Sequence, residues 1–389
     1  MDRKSSFLAN RLGDAAMKYD NVVIQIGGSE IPELYNDLVS LEVELDEELA
    51  GMFRMSITLF LNSDGSWNYL DDDRLTIWQQ VVIIAGLEDD TEQLISGYIT
   101  HIKPSFGIGL DECTLEIWGL DASVLMDRED QLKDWPSRKD SDIASEIFGT
   151  YGLTPQVQDT EIIHDEQVST IIQRETDIRF LKRLALRNGY ECYVDGDTGY
   201  FQPPQLSSSP QQILAVQFGD DTNVNRFHLE VNALATAEVS MSQVDHDTKE
   251  VIDTTSSPGS QQALGASGSD SYLSGNATSA IVCVAKTVTT GDTEMSALCQ
   301  GLYNEGEWFV TGEGEVAANQ YGNILKPRNP VTIKGIGETY SGIYYVTHVN
   351  HVFNSDGYIQ RFRVKRNGLM PTGAEDFSDD SSGGLLGLL

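Results

Sequence analysis

Cysteine and positive charge are both scarce in this sequence. Only 4 of 389 residues are cysteine, at positions 113, 192, 283 and 299, far apart and with no C-x-x-C pair. That excludes a zinc ribbon or a thioredoxin-type motif and favours free thiols in a reducing compartment over a disulfide framework. Lys and Arg number 26 against 60 Asp and Glu, a formal net charge of −34. A chain this acidic does not hold DNA or an anionic membrane through its overall field. No run approaches the roughly 18–20 apolar residues of a membrane span. Residues 1–6 lead into no apolar segment of a secretory signal, so synthesis in a cytoplasm is expected.

Enough apolar sequence is present to build real cores. Hydrophobic residues make up 40% of the chain, and the length fits two or three domains of about 150 residues each. Residues 5–18 could form a short amphipathic helix on Phe7, Leu8, Leu12 and Ala15. Beyond it the apolar period falls from 3.6 to 2. Leu41, Val43 and Leu45 alternate with Glu42 and Glu44, and Phe53, Met55, Ile57 and Leu59 with Arg54, Ser56 and Thr58, the mark of strands with one dry and one wet face.

The predicted class is mainly β with an α+β insert: two related antiparallel β-barrel, tube-like domains plus a small α/β domain. The boundaries are 1–130 for a first barrel with its leading helix, 131–205 for the insert, 206–370 for a second barrel, and 371–389 for an acidic tail ending in leucines. In the insert, Ser141 and Asp142 can cap a helix burying Ile143, Ala144, Ile147 and Phe148. A second helix over 177–187 ends at Asn188-Gly189, residues that tolerate a left-handed C-cap. In the second barrel, 254–280 reads as a mobile Ser/Gly-rich loop, and 292–306 as a helix on Met295, Leu298, Cys299 and Leu302.

The two strand-rich blocks end alike. Val81-Val82-Ile83 leads to Ser96-Gly97 and Tyr98-Ile99-Thr100-His101, then to the strand 113–118 and Gly119-Leu120. Downstream, Val331-Thr332-Ile333 leads to Ser341-Gly342 and Tyr345-Val346-Thr347-His348, then to the strand 359–364 and Gly368-Leu369. The common order points to a duplication, at a length far beyond any solenoid period.

Chemical motifs are missing. There is no H-E-x-x-H, G-x-S-x-G or Walker loop. His348 and His351 stand at a strand spacing that sends their rings to opposite faces, so no shared metal is expected. Asp71-Asp72-Asp73 and Asn62-Ser63-Asp64-Gly65 lack the ligand spacing of a calcium loop and read as solvated turns. Gly312-Glu313-Gly314-Glu315 lacks the third glycine and the βαβ setting of a dinucleotide loop. Asn276-Ala277-Thr278 matches a glycosylation sequon without a secretory context. No catalytic residue, cofactor or metal site is assigned.

Three segments carry a resemblance. Residues 176–190, from Thr176-Asp177-Ile178-Arg179-Phe180-Leu181 to Asn188-Gly189-Tyr190, followed by Val194-Asp195-Gly196 and Tyr200-Phe201-Gln202-Pro203, resemble a stretch of phage late control D proteins and VgrG-like hubs. So do Gly342-Ile343-Tyr344-Tyr345-Val346-Thr347-His348-Val349 with 357–364, and more weakly Leu120–Glu129. The resemblance spans roughly residues 20–370. It implies a non-enzymatic baseplate hub of a contractile tail or injection system, a homotrimer assembled in the cytoplasm. Its partners would be the tail tube protein, a spike on a separate chain and other baseplate proteins, with neither specific nucleic-acid recognition nor membrane insertion. Rival readings are a tail-associated cell-wall hydrolase and a cargo-binding or adhesin module of the same particle. Leu385, Leu386, Leu388 and Leu389 are the candidate interface residues, either docking on a neighbouring chain or spike or forming a frayed terminus. In such a trimer, part of the acidic surplus is expected to line the central channel.

Overall fold

A computed structural model of the chain describes residues 20–87, 90–109, 112–167, 170–234, 238–245, 248–256, 259–269, 271, 280–375 and 377. The expected helix over 5–18, the sequon at 276–278 and the leucines of 385–389 lie outside the described residues.

Alternation builds the first third of the chain. Strands β1 (Asp20–Ile26), β2 (Ser29–Glu30), β3 (Leu38–Asp46), β4 (Met52–Thr58), β5 (Gln80–Leu87), β6 (Asp90–Ser105) and β7 (Thr114–Asp121) follow one another. Phe53, Met55 and Ile57 of β4 and Leu115 and Ile117 of β7 point into one core, while Arg54, Ser56 and Glu116 point away. The insert has its own apolar cluster between α1 (Asp140–Thr150) and α2 (Asp177–Asn188). Short strands β8 (Lys133–Trp135), β9 (Thr154–Val157), β10 (Ile171–Gln173), β11 (Glu191–Asp195) and β12 (Thr198–Gln202) surround them. Helix α2 stops at Gly189, whose φ of 65° is the left-handed C-cap that glycine adopts without penalty. Helix α1 starts at Asp140, earlier than the expected Ser141 cap.

The last third returns to strands: β13 (Gln211–Ala215), β14 (Val224–Val231), β15 (Glu238–Val244), β16 (Val251–Thr255), β17 (Ser267–Gly268) and β18 (Ile281–Val284), then helix α3 (Asp292–Gly306), then β19 (Val310–Ala317), β20 (Pro330–Lys334), β21 (Gly342–Asn354), β22 (Gly357–Arg366) and β23 (Gly368–Leu369). Helix α3 packs Met295, Leu298, Cys299 and Tyr303 against β15.

The two expected barrels are halves of one sheet. Its order is β14-β19-β22-β21-β3-β4-β7-β6-β5-β1-β2, with β20 and β13 branching from β21. Among the described residues neither half closes on itself. The reason is length: β21 has 13 residues and β20 only 5. Residues 342–345 of β21 pair with β20, and residues 348–353 run on to pair with β3. The 254–280 segment also departs from the loop reading, since Leu264 is buried and β17 pairs with β23.

The duplication is visible in the pairing. The antiparallel order β3-β4-β7-β6-β5 in the first half repeats as β14-β19-β22-β21-β20 in the second, and the sixth strands differ in sense, β1 running antiparallel to β5 and β13 parallel to β20. Two β-bulges recur at matching places. One lies at Thr100 between β6 and β7 and at Thr347 between β21 and β22; the other at Val39 between β3 and β4 and at Asn225 between β14 and β19. Because a bulge shifts which face each side chain takes, their recurrence ties the halves together more firmly than sequence identity does. The Thr-His and Val-x-Ile segments fall in register. The Ser-Gly and Gly-Leu pairs do not: Gly342 opposes Ile333 where Ile95 opposes Ile83, and Val364 occupies the place of Gly119.

The insert meets α3 at a glycine. A Cβ added to Gly301 would lie 2.7 Å from the Gly189 nitrogen and 3.1 Å from the Leu186 oxygen, both backbone atoms that cannot swing aside. Gly301→Ala should therefore lower the unfolding free energy by about 1–3 kcal/mol, although alanine is worth about 1 kcal/mol more than glycine within a helix. Urea denaturation of the two proteins measures the sign.

Candidate functional site

One face of the main sheet presents a broad charged surface. On the wet face running from β6 to β14, six carboxylates (Glu42, Glu44, Glu116, Glu230, Glu313 and Glu315) stand among five cations (Arg54, Lys103, Arg226, Arg361 and Arg363). Cross-strand neighbours pair by sign: Arg54 to Glu116 at 2.8 Å, Lys103 to Glu116 at 3.5 Å and Arg361 to Glu315 at 3.1 Å. Such exposed pairs contribute about 0–1 kcal/mol each, so their effect is on register and on the field of the face. That face carries an acidic surplus of only one, so most of the net −34 lies elsewhere in the chain.

Behind the sheet, three parts of the chain meet around Arg328, which sits between Pro327 and Pro330 with φ of 60°. Its guanidinium lies 3.8 Å from the centroid of the Tyr193 ring of the insert and donates to the Asp46 carbonyl at the end of β3. Its backbone amide donates to the Val346 carbonyl at 2.7 Å. A cavity of about 280 Å³ opens here, lined by Arg328, Lys326, Asp121, Tyr193 and Asp195. Asp121 accepts from the Gly51 amide at 2.5 Å and the Ser123 amide at 2.9 Å, which gives the 120–129 segment its turn. Nearby, Tyr345 donates to Glu191 at 2.8 Å and Lys365 pairs with Glu47 at 2.8 Å. Burial pushes the Glu191 carboxyl up to about 7, against the opposing pull of Tyr345, Arg328 and Lys365.

A second buried cluster locks the insert to α3. His164 lies 2.9 Å from Asp140 and 3.6 Å from Glu294, while Arg187 reaches Asp140 at 2.9 Å and Glu294 at 3.0 Å. Thr290 donates to Glu294 from its amide and its hydroxyl, both at 2.7 Å. Burial alone would raise Glu294, but His164, Arg187 and Thr290 hold it down to about 2. Burial alone would lower His164, and its bonds to Asp140 and Glu294 outweigh that and raise it. Both carboxylates and the imidazole of the cluster are held by neighbouring side chains.

The sequence motifs have structural placements. His348 faces Glu44 on the wet side, whereas His351 is fully buried 2.8 Å from the Tyr358 hydroxyl, with its pKa lowered to about 3 by burial. Asp72 is bound by Arg74, and Asp64 accepts from the Ser66 amide, in two turns. Gly312 and Gly314 face inward under aromatic rings; a Cβ on either would lie 2.7 Å from Phe227 or 2.4 Å from Phe362. Among the described residues, no three His, Cys, Asp or Glu side chains converge to hold a metal ion. Sequence reasoning missed Arg328 and the His164 cluster. The proline-flanked Pro327-Arg328-Asn329-Pro330 was the one available signal for the first; the second joins residues up to 154 positions apart.

The profile of the Alg8 N-terminal domain matches residues 17–355. The chain belongs to the Alg8 N-terminal domain family. No curated protein matches this family member by sequence. Among solved structures, it is similar to the 43 kDa tail protein of prophage MuSo2 from Shewanella oneidensis, at 15% identity over 90% of this chain and 98% of that one, with a TM-score of 0.64. A tail protein from Neisseria meningitidis matches at 14% identity over 90% and 96%, also with a TM-score of 0.64. A component of the type VI secretion system of E. coli matches at 12% identity over 88% and 76%, with a TM-score of 0.50. At such identities the likeness shows a shared fold, and this Alg8 N-terminal domain has the fold of those tail proteins. None of its described helices is long and apolar enough to cross a membrane.

The His164 cluster gives a pH prediction with a definite sign. His164, raised above its ordinary 6.5, stabilises the fold fully below that pH and loses this as the pH climbs through its folded value. Glu294, lowered from 4.5, stabilises above 4.5 and loses this as the pH falls toward 2. The two contributions overlap between about pH 4.5 and 6.5. His164→Asn should cost most stability in that window, with the gap to the wild-type chain narrowing at higher pH. Melting curves of both proteins across pH 5–9 test it.

Proposed function

We propose that the chain is a structural baseplate component of a contractile tail or injection particle, in the manner of late control D and VgrG-like hubs. In this reading three copies form a ring of six related strand units, and the ring joins a tail tube to a spike. Assembly takes place in the cytoplasm. The observation that carries the reading is the internal duplication. Two units that share the order of five strands and the same two bulges lie side by side in one sheet, as a threefold ring must have to match a sixfold tube. The shared fold with tail proteins and a tail-associated type VI component supports it, and so does a wet face whose charges pair with each other instead of forming a binding site. The work is mechanical: hold a spike, seat a tube ring and leave an axial passage.

The two barrels of the sequence reading enter here as the two units of each copy, at 1–130 and 206–370, with the insert at 131–205 standing outside the ring. Leu385, Leu386, Leu388 and Leu389 are the proposed contacts of the tail segment with a neighbouring chain or the spike. Native mass spectrometry and negative-stain electron microscopy of the full chain test the ring. Trimers with six similar densities are expected, and a monomer at every concentration up to that of assembly would overturn the proposal.

A further inference from the structure

Two strand edges of the wet sheet lack neighbours among the described residues. One is the outer side of β14, the last strand of the order. The other is the second half of β6. Its residues 90–98 pair with β5 on one side, with Ile99 adding backbone hydrogen bonds to Trp78 and Gln79, residues 97–105 pair with β7 on the other, and among the described residues no strand pairs with the β5 side beyond Ile99. In the duplicate half the corresponding edge is occupied, because residues 348–353 of β21 pair with β3. Strand β14 is the duplicate of β3, and β6 is the duplicate of β21.

We propose that β14 pairs antiparallel with residues 101–106 of a second copy of this chain, setting Glu230 opposite Lys103 and Phe227 opposite Phe106, and so repeats between chains the β21–β3 ladder found within one. The inference rests on the ring reading above and adds which edges meet and in what register.

The register follows from the bulges. Aligning Thr347 with Thr100 places Asn350 on Lys103 and Phe353 on Phe106. Aligning Val39 with Asn225 places Leu41 on Phe227 and Glu44 on Glu230. The pairs Asn350 with Glu44 and Phe353 with Leu41 then become Lys103 with Glu230 and Phe106 with Phe227.

Burial supports this assignment. Phe353 is completely buried in the core of the first half, where it stacks on Tyr358 at 4.1 Å. Its counterpart Phe106 is 58% exposed, and the adjoining Ile108 is fully exposed. Likewise Leu41 and Val43 are fully buried, whereas their counterparts Phe227 and Leu229 are half-buried at an open edge. The new cross-strand pairs join opposite charges and two aromatic rings, both favourable on neighbouring strands. Pro104 lies in the row and supplies no amide donor, which weakens indiscriminate pairing at an exposed edge while leaving the specific side-chain matches.

The test uses two full-length variants, Lys103→Cys and Glu230→Cys, each also carrying Cys283→Ser to remove the exposed native thiol. Mixed under mild oxidation, they should give a disulfide-linked pair in several-fold higher yield than Ser105→Cys mixed with Glu230→Cys, whose diagonal spacing of about 7–8 Å is too long for a disulfide. In parallel, Lys103→Glu should weaken assembly at low salt, and adding Glu230→Lys in the same chain should restore it. Multimers by native mass that show no preference for the 103–230 link would overturn this register and leave the ring reading standing. Chains that stay monomeric in every mixture would overturn both.

Discussion

The architecture depends on one strand being longer than its neighbour. β21 uses its first residues to complete its own half through β20 and its last to enter the other half through β3. That continuation forbids closure of either half and fuses two duplicated units into a single sheet. Its side chains matter more than its ladder. Fully burying Phe353 is worth roughly 2–3 kcal/mol, against about 0.5–1.5 for each backbone hydrogen bond. The tip of the β21–β22 hairpin is thus a structural member of the first half, and neither half is expected to keep its core intact if the other is removed.

Everything off the sheet serves to hold that angle of entry. Arg328 ties the end of β3, the insert and β21 at one guanidinium and one amide. Glu47 with Lys365 and Glu191 with Tyr345 add two buried polar contacts from the same three regions. The insert is then fixed a second time to α3 through Asp140, His164, Arg187 and Glu294. Breaking a buried ion pair by removing one partner is far more costly than the pair's net worth. Such contacts specify geometry more than they add stability.

Local periodicity made much of this legible. The alternation of β3 and β4, the amphipathic stripe and Gly189 stop of α2, and the full extent of α3 all follow from side chains close in sequence. Duplication was legible at Thr-His, where the bulge fixes the same residues in both halves. It was obscured elsewhere because the halves fill equivalent space in opposite ways. The cross-strand pair Phe53 with Gly119 in one is Gly312 with Val364 in the other, so the larger side chain stands on the opposite strand and identity is lost. Joining the halves through β21 was not legible, since strand length beyond a partner leaves no local pattern. The same holds for Arg328 and the His164 cluster, whose members come together only through tertiary packing.

The charge of the chain acquires a place through the same sheet. A net −34 read from composition predicts repulsion between copies, and repulsion grows with each copy added. Yet the face whose edges lie open has nearly equal numbers of each sign, alternating across strands so that each cation meets a carboxylate on the next. Pairing of this kind is indifferent to where one chain ends and another begins: Glu230 on the open edge of β14 can take a cation from a further strand, whereas at β3 the strand β21 sets the neutral Asn350 and Val352 against Glu44 and Glu42. The acidic surplus is kept almost entirely off this face, so repulsion between copies is weakest where the open edges lie.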